Sequence, residues 1–244
     1  MKKLSWISIL IFFIACQGDR KDDCITSMGK KTVITRSVLS FNKLYVEDRI
    51  EVILKQDSSR HGEILLEGPS NLLNQVHSEV SNGQLRLINT NTCNFARSFN
   101  YDLKVYVFVD QLIDLQVESI AEVITADTLN VDFLSIKHTA LSDIDLTLSG
   151  KEVFIRSRNS ATTRLHGNLK VLKGSIEEIS DLDAAELTCD EVYLDSHSPL
   201  DCTVNPSLGM YMKIYNSGNI YYIQEPTAYR ILAHRSGTGN LLKR

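Results

Sequence analysis

The sequence predicts an all-β chain: a single-domain β-solenoid, similar to a parallel β-helix, with coils of about nineteen residues, preceded by a strand-rich N-terminal part that shares its core. The first observation is an internal repeat. Turn-like clusters recur at Ser119-Ile120-Ala121, Leu141-Ser142-Asp143, Ser160-Ala161-Thr162, Ile179-Ser180-Asp181, Ser198-Pro199-Leu200, Ser217-Gly218-Asn219 and Ser236-Gly237-Thr238; their centres stand 21 residues apart once and then 19 apart five times. The second is that residues around each centre alternate apolar and polar with the two-residue period of a strand, as in Val153 and Ile155 before one turn and Leu165 after it. The third is size: a unit this short cannot bury its own apolar face, so neighbours must stack. An antiparallel meander or sandwich also strings short strands together, but nothing in that architecture holds the interval constant.

The elements follow in chain order. Met1 to Ala15 join Lys2 and Lys3 to an apolar run, the pattern of an export signal too short to span a bilayer. The run ends in Phe13-Ile14-Ala15-Cys16, which resembles the lipobox of bacterial lipoproteins with Phe13 in place of the usual leucine; Cys16 is then the lipid attachment site, and an ordinary cleaved signal is the alternative. Residues 16–30 include a charged stretch, Asp19-Arg20-Lys21-Asp22-Asp23, that cannot pack a core and reads as a tether. The domain is expected over 31–244, with an N-terminal β part over 31–110 and the repeats over 111–244.

Within the N-terminal part, strands are expected at Thr32 to Val38, Leu44 to Val46, Ile50 to Leu54, Glu63 to Leu66, Leu85 to Ile88 and Leu103 to Val109. Asn82-Gly83 marks a hairpin, because both central positions of its tight turn need positive φ. Pro69 to Leu73 reads as one helical turn. No Gly/Pro/Ser linker separates Val109 from the first repeat, so no domain boundary is expected there. In the repeats, the register places Ile144, Thr163 and Leu182 in one inward column, and Asp145, Arg164 and Asp183 in one outward, charge-alternating column.

These residues resemble a known family. Phe41, Lys43, Leu44, Val46, Ile50, Val52 and Leu54, then Asn71-Leu72-Leu73, Val76, Val80 and Asn82-Gly83-Gln84-Leu85, and finally Ile220-Tyr221-Tyr222, Pro226 and Ser236-Gly237-Thr238-Gly239, are similar to the "putative auto-transporter adhesin, head GIN domain" family. The likeness runs from about Lys31 to Leu241. It implies an exported or lipidated β-solenoid of the Gram-negative envelope, and it fixes architecture better than function. The chain departs from the family's Gly-rich turns at Ala121, Ser142, Ala161, Ser180 and Pro199, which implies stiffer turns.

Composition narrows the function. Without Lys2 and Lys3, 24 of the 26 basic residues remain against 30 acidic ones, and no basic stripe is present, so nucleic acid is not an expected partner. With Cys16 spent on lipid, Cys24, Cys93, Cys189 and Cys202 form an even set in an exported chain; Cys24 with Cys93 and Cys189 with Cys202 are the favoured disulfides, with free buried thiols the alternative. The six histidines lack ligand spacing, and no nucleophile elbow or phosphate loop occurs, so no metal, cofactor or catalytic residue is expected. Glu122, Asp143 and Asp181 recur just after turn centres and keep a second class open, a polysaccharide lyase or hydrolase on the solenoid face. Asp143 and Asp181, however, stand two coils apart, with Thr162 between them. Asp127-Thr128-Leu129 resembles an O-glycosylation acceptor at Thr128. The reading is a non-catalytic outer-membrane lipoprotein, held by its lipid and presenting a structural, adhesion or ligand-binding surface to a glycan or an envelope protein.

Overall fold

The computed structural model describes residues 29–91 and 103–244. Seventeen strands form one continuous sheet that coils into a β-solenoid of about six turns. In chain order they are β1 (Lys31–Ser37), β2 (Lys43–Glu47), β3 (Glu51–Gln56), β4 (Glu63–Pro69), β5 (Val76–Ser81), β6 (Gln84–Asn89), β7 (Lys104–Val109), β8 (Asp114–Ser119) and β9 (Glu122–Thr125). The repeats then supply β10 (Leu129–Ala140), β11 (Asp143–Asn159), β12 (Thr162–Ile176), β13 (Asp181–Ser196), β14 (Cys202–Ile214), β15 (Ile220–Tyr222), β16 (Tyr229–Arg235) and β17 (Leu241–Lys243). Among the described residues there is one α-helix, α1 (Ser70–Leu73), which begins directly after Pro69, where the helical turn was expected.

Two inward columns show how the alternation builds the core. On one wall Leu85, Leu44, Leu115, Ile136, Ile155, Gly174, Leu194 and Met212 stack in register. On the other, Val105, Val52, Val123, Ile144, Thr163, Leu182, Cys202 and Ile220 do the same. Apart from Gly174, every member is buried, and a single apolar cluster runs from Phe41 to Tyr222. Each fully buried aliphatic side chain contributes roughly 1.5–3 kcal/mol by leaving water, so the stacked columns are the main source of stability. The expected inward column of Ile144, Thr163 and Leu182 is the middle of the second wall.

The constant interval of nineteen hides a less regular register. β10 faces β11, and β11 faces β12, with offsets of nineteen, as in Leu129 against Leu148 and Asp143 against Thr162. Between β12 and β13 the ladder slips past Arg164, and Gly167 faces Leu187; between β13 and β14 it slips twice more. Bulges thus absorb insertions and deletions within a coil, and the turn at Pro199 sits one residue out of register with those before and after it: Ile176 faces Ser196 and Leu182 faces Cys202, twenty apart, while Ser196 faces Ile214 and Cys202 faces Ile220, eighteen apart. Within a coil, β11, β12 and β13 run unbroken through a corner. Gly150, at φ +154°, makes the corner in β11, and a Cβ there would overlap the Val131 carbonyl of the coil below.

The turns themselves explain the missing glycines. Ser119, Asn159 and Glu178 carry the positive φ, two residues before a turn centre in each case. The centres Ala121, Ala161 and Ser180 are fully buried and Ser142 nearly so. These four centres therefore need a small side chain for packing, and alanine or serine meets that need without a special backbone conformation; Pro199, by contrast, is exposed.

At the N-terminal end the stacking order departs from chain order. β2 lies between β6 and β8, and β3 between β7 and β9, all in parallel register. The coil formed by β2 and β3 is therefore inside the stack. β5 closes one wall as an antiparallel hairpin with β6, through Asn82 at φ +51° and Gly83 at φ +72°, and β4 with β1 closes the other. Arg36 ties these caps together by donating to the carbonyls of Val76 at 2.5 Å and Leu73 at 2.8 Å.

Candidate functional site

At the corner where β10 to β13 bend, the outer surface carries an open groove of about 770 Å³. Its rungs come from successive coils: the 110–113 segment between β7 and β8, then Asn130 to Phe133, Ser149 to Lys151, Asn168 to Lys170, and Asp190. Because the backbone ladder is parallel, equivalent side chains line up along the axis. Asn130 faces Ser149, and Ser149 faces Asn168, which places a polar hydrogen-bonding group on each coil at the interstrand spacing of about 4.8 Å. Beside this row Val131 and Leu169 are buried as the apolar floor, while Phe133 stands 45% exposed.

The groove is braced. Gln56 donates to the carbonyls of Asp110 at 2.8 Å and Asn130 at 3.2 Å, and its own Oε1 accepts from the Asn130 backbone N–H at 2.8 Å, so one amide holds three coils. Lys151 pairs with Asp132 at 2.8 Å across adjacent rungs. Asp190 accepts from Ser207 at 3.3 Å. Three carboxylates, Asp110, Asp132 and Asp190, stand against two ammonium groups, Lys151 and Lys170, so the lining has no strong bias of charge.

The residues singled out by sequence fall elsewhere. Cys16, Cys24 and Cys93 lie outside the described residues. Cys189 and Cys202 are free thiols, contrary to the favoured pairing. The physical reason is register: Cys189 stacks between Leu169 and Pro206, whereas Cys202 belongs to the column of Leu182 and Ile220, and side chains of different columns do not meet the close Cα separation a disulfide needs. Burial pushes each thiol up to about 12, so both are inert packing groups. Thr128 is exposed at the bend before β10, next to Asp127, whose carboxylate lies 3.7 Å from Lys55.

Asp145, Arg164 and Asp183 do form one outward column, but they do not pair with each other. Arg164 reaches Asp143 at 2.8 Å, Asp145 meets His166 at 3.1 Å, and Asp183 accepts from the backbone of Ala185. Asp143, Thr162 and Asp181 stack as expected, and Thr162 donates to Asp181 at 2.8 Å. Burial raises the Asp181 carboxyl above its ordinary range, opposed by the Thr162 hydroxyl and the Arg164 charge. None of Glu122, Asp143 and Asp181 lines the groove. Among the described residues no group of three or more His, Cys, Asp or Glu side chains is placed to hold a metal ion, and no helix is long and apolar enough to cross a membrane.

The sequence signal for the groove was the same repeat that predicted the fold. Asn130, Ser149 and Asn168 are spaced by nineteen, as are Asp132, Lys151 and Lys170. Only the corner, made by a glycine whose φ no composition reveals, turns these repeated polar residues into the wall of a groove.

Comparison with known proteins agrees with this architecture. Residues 40–226 match the family described as "putative auto-transporter adhesin, head GIN domain". Among solved structures, a "putative adhesin" from Bacteroides fragilis superposes with a TM-score of 0.79 at 19% identity, covering 88% of this chain and 97% of that one. A "putative adhesin" from Parabacteroides distasonis gives 0.67 at 15% identity over 88% and 98% of the two chains. A "putative lipid binding protein" from the same organism gives 0.61 at 14% identity over 88% and 97%. At these identities the likeness carries the fold alone. No curated protein matches the chain. The match over most of its length makes the chain a member of the "putative auto-transporter adhesin, head GIN domain" family.

Proposed function

We propose that the chain is a non-catalytic binding module of the cell envelope, anchored by lipid at Cys16 and presenting the corner groove to an external ligand. The observation that carries this reading is the groove itself: an open, braced row of hydrogen-bonding side chains repeated coil by coil, with Glu122, Asp143 and Asp181 outside it. A glycosidase or lyase needs its acid and base to converge on one substrate position. Here Asp143 is held by Arg164 and Asp181 by Thr162, two coils apart. The family and the adhesin descriptions of its structural neighbours support an envelope location and an adhesin-like role. Attachment through acyl chains at Cys16 would hold the domain at an outer-membrane surface by the apolar area the chains bury, and modification at the exposed Thr128 is compatible with that location.

One experiment with two readouts tests the proposal. Cells producing the full chain are labelled with a fatty-acid analogue, and the recovered protein is incubated with envelope and dietary polysaccharides. The wild-type chain should be labelled and retained in membranes, and Cys16→Ser should be unlabelled and released. No new reducing ends or unsaturated products should form. Labelling of the serine variant would overturn the anchor, and turnover that disappears in Asp143→Ala would overturn the non-catalytic reading.

A further inference from the structure

We infer that the corner groove binds an extended, neutral, β-linked polysaccharide; this rests on the groove being the binding surface. The geometry offers three features that converge on that chemistry. Asn130, Ser149 and Asn168 repeat at about 4.8 Å, close to the advance of one pyranose ring in an extended chain, so successive sugars meet equivalent partners. The Asn168 amide and the Ser149 hydroxyl both donate and accept, as vicinal sugar hydroxyls require, and Asn130, one of whose N–H groups donates to Gln56 at 3.2 Å, keeps its Oδ1 and second N–H. Phe133, 45% exposed at the rim, offers a ring face on which the C–H side of a pyranose can stack. From the Asn130 rung to the level of Asp190 the groove crosses three coil spacings, about 14 Å, which accommodates about three rings.

Other occupants fit less well. A peptide docking by strand addition needs a free sheet edge; β11, β12 and β13 pair with a neighbour on both sides, and the short stretch of β10 before Ser135 that pairs only with β11 has its Asn130 N–H and carbonyl already taken by the Gln56 amide. A polyanion would approach Asp110, Asp132 and Asp190, and Lys151 is already committed to Asp132. A lipid tail would strip water from the amides of Asn130 and Asn168 without replacing their hydrogen bonds.

Native affinity electrophoresis of the full mature chain tests the assignment, with gels containing mixed-linkage β-glucan, galactomannan, polygalacturonate or no polymer. Retardation is expected with at least one of the two neutral β-linked polymers. Phe133→Ala, and separately the Asn130→Ala/Asn168→Ala pair, should weaken it tenfold or more with unchanged circular dichroism. Phe154→Ala, 39% exposed on the same wall but outside the groove, should bind as wild type. Retardation by polygalacturonate alone, or by none of the polymers, would overturn the ligand class. In that case, a protein ligand recovered from envelope extracts and lost in the same two variants would leave the groove as the binding surface with the sugar assignment wrong. Glycan retention unaffected by either groove variant would overturn both.

Discussion

His138 shows how one side chain can govern the behaviour of this core. It occupies an inward position stacked between Val117 and Ser157, a column that is otherwise aliphatic or hydroxylic. Its Nδ1 lies 3.1 Å from the Thr163 hydroxyl, which in turn lies 2.9 Å from Ser157. The imidazole is fully buried, and burial lowers its pKa to about 4, against a smaller opposing pull from the Asp143 charge. The sign follows from linkage: below the ordinary value of about 6.5 the unfolded chain takes up a proton that the folded one refuses. Stability from this group is therefore complete above neutral pH, falls between about 6.5 and 4, and is level below that. The loss should be about 2 kcal/mol at pH 5. Urea unfolding at pH 7.5 and pH 5 should show it in the wild type, and His138→Leu should lose that part of the slope. An undiminished slope in the leucine variant would place the proton uptake elsewhere.

Between one coil and the next, the corner matters more than the turn. Gly150 combines φ +154° with backbone of Val131 where a Cβ would stand, so no neighbouring side chain can move aside to relieve the overlap. Gly150→Ala should therefore cost more than about 2 kcal/mol, whereas Ser149→Ala, one residue earlier on the partly exposed row, should stay within about 0.5 kcal/mol. Thermal denaturation of the two variants checks this, and equal tolerance would mean that the corner can relax. This also separates what was legible in the sequence from what was not. Period-two alternation places Ile144, Thr163 and Leu182 inward because it depends only on which residues avoid water. Asn82-Gly83 specifies its hairpin because local sterics leave few alternatives. The unbroken corner at Gly150, the slips near Arg164 and Cys189, and the partners chosen by Arg164 depend on which backbone lies one coil below, and a linear pattern carries no such information. The groove was hidden for the same reason, although its polar rungs keep the interval of nineteen.

In the whole molecule the order of coils in space is not the order along the chain, and this alters how the solenoid opens. In a simple stacked array each unit contacts only its two neighbours, so opening begins at the ends and the first coil in sequence is among the first to go. Here the coil of β2 and β3 is covered on one side by β6 and β7 and on the other by β8 and β9. Leu44, Val46, Val52 and Leu54 are fully buried. β16 and β17, by contrast, pair on one side only, with β14 and β15, and β16 is exposed along nearly its whole length. Exposing a β2 amide therefore requires removing the outer coil and the antiparallel caps of β1, β4 and β5, while a β16 amide needs only local separation from β14. Native-state hydrogen exchange should accordingly find residues 43–47 and 51–56 among the slowest amides of the domain and residues 229–235 among the fastest of its strands. Residues 84–89 should lie between them, because β6 is paired on both sides but one of its partners is the terminal hairpin strand β5. Exchange at 43–56 as fast as at 229–235 would mean that the β2 and β3 coil opens as an end unit, as its place in the chain alone would suggest, and would overturn the interleaved order.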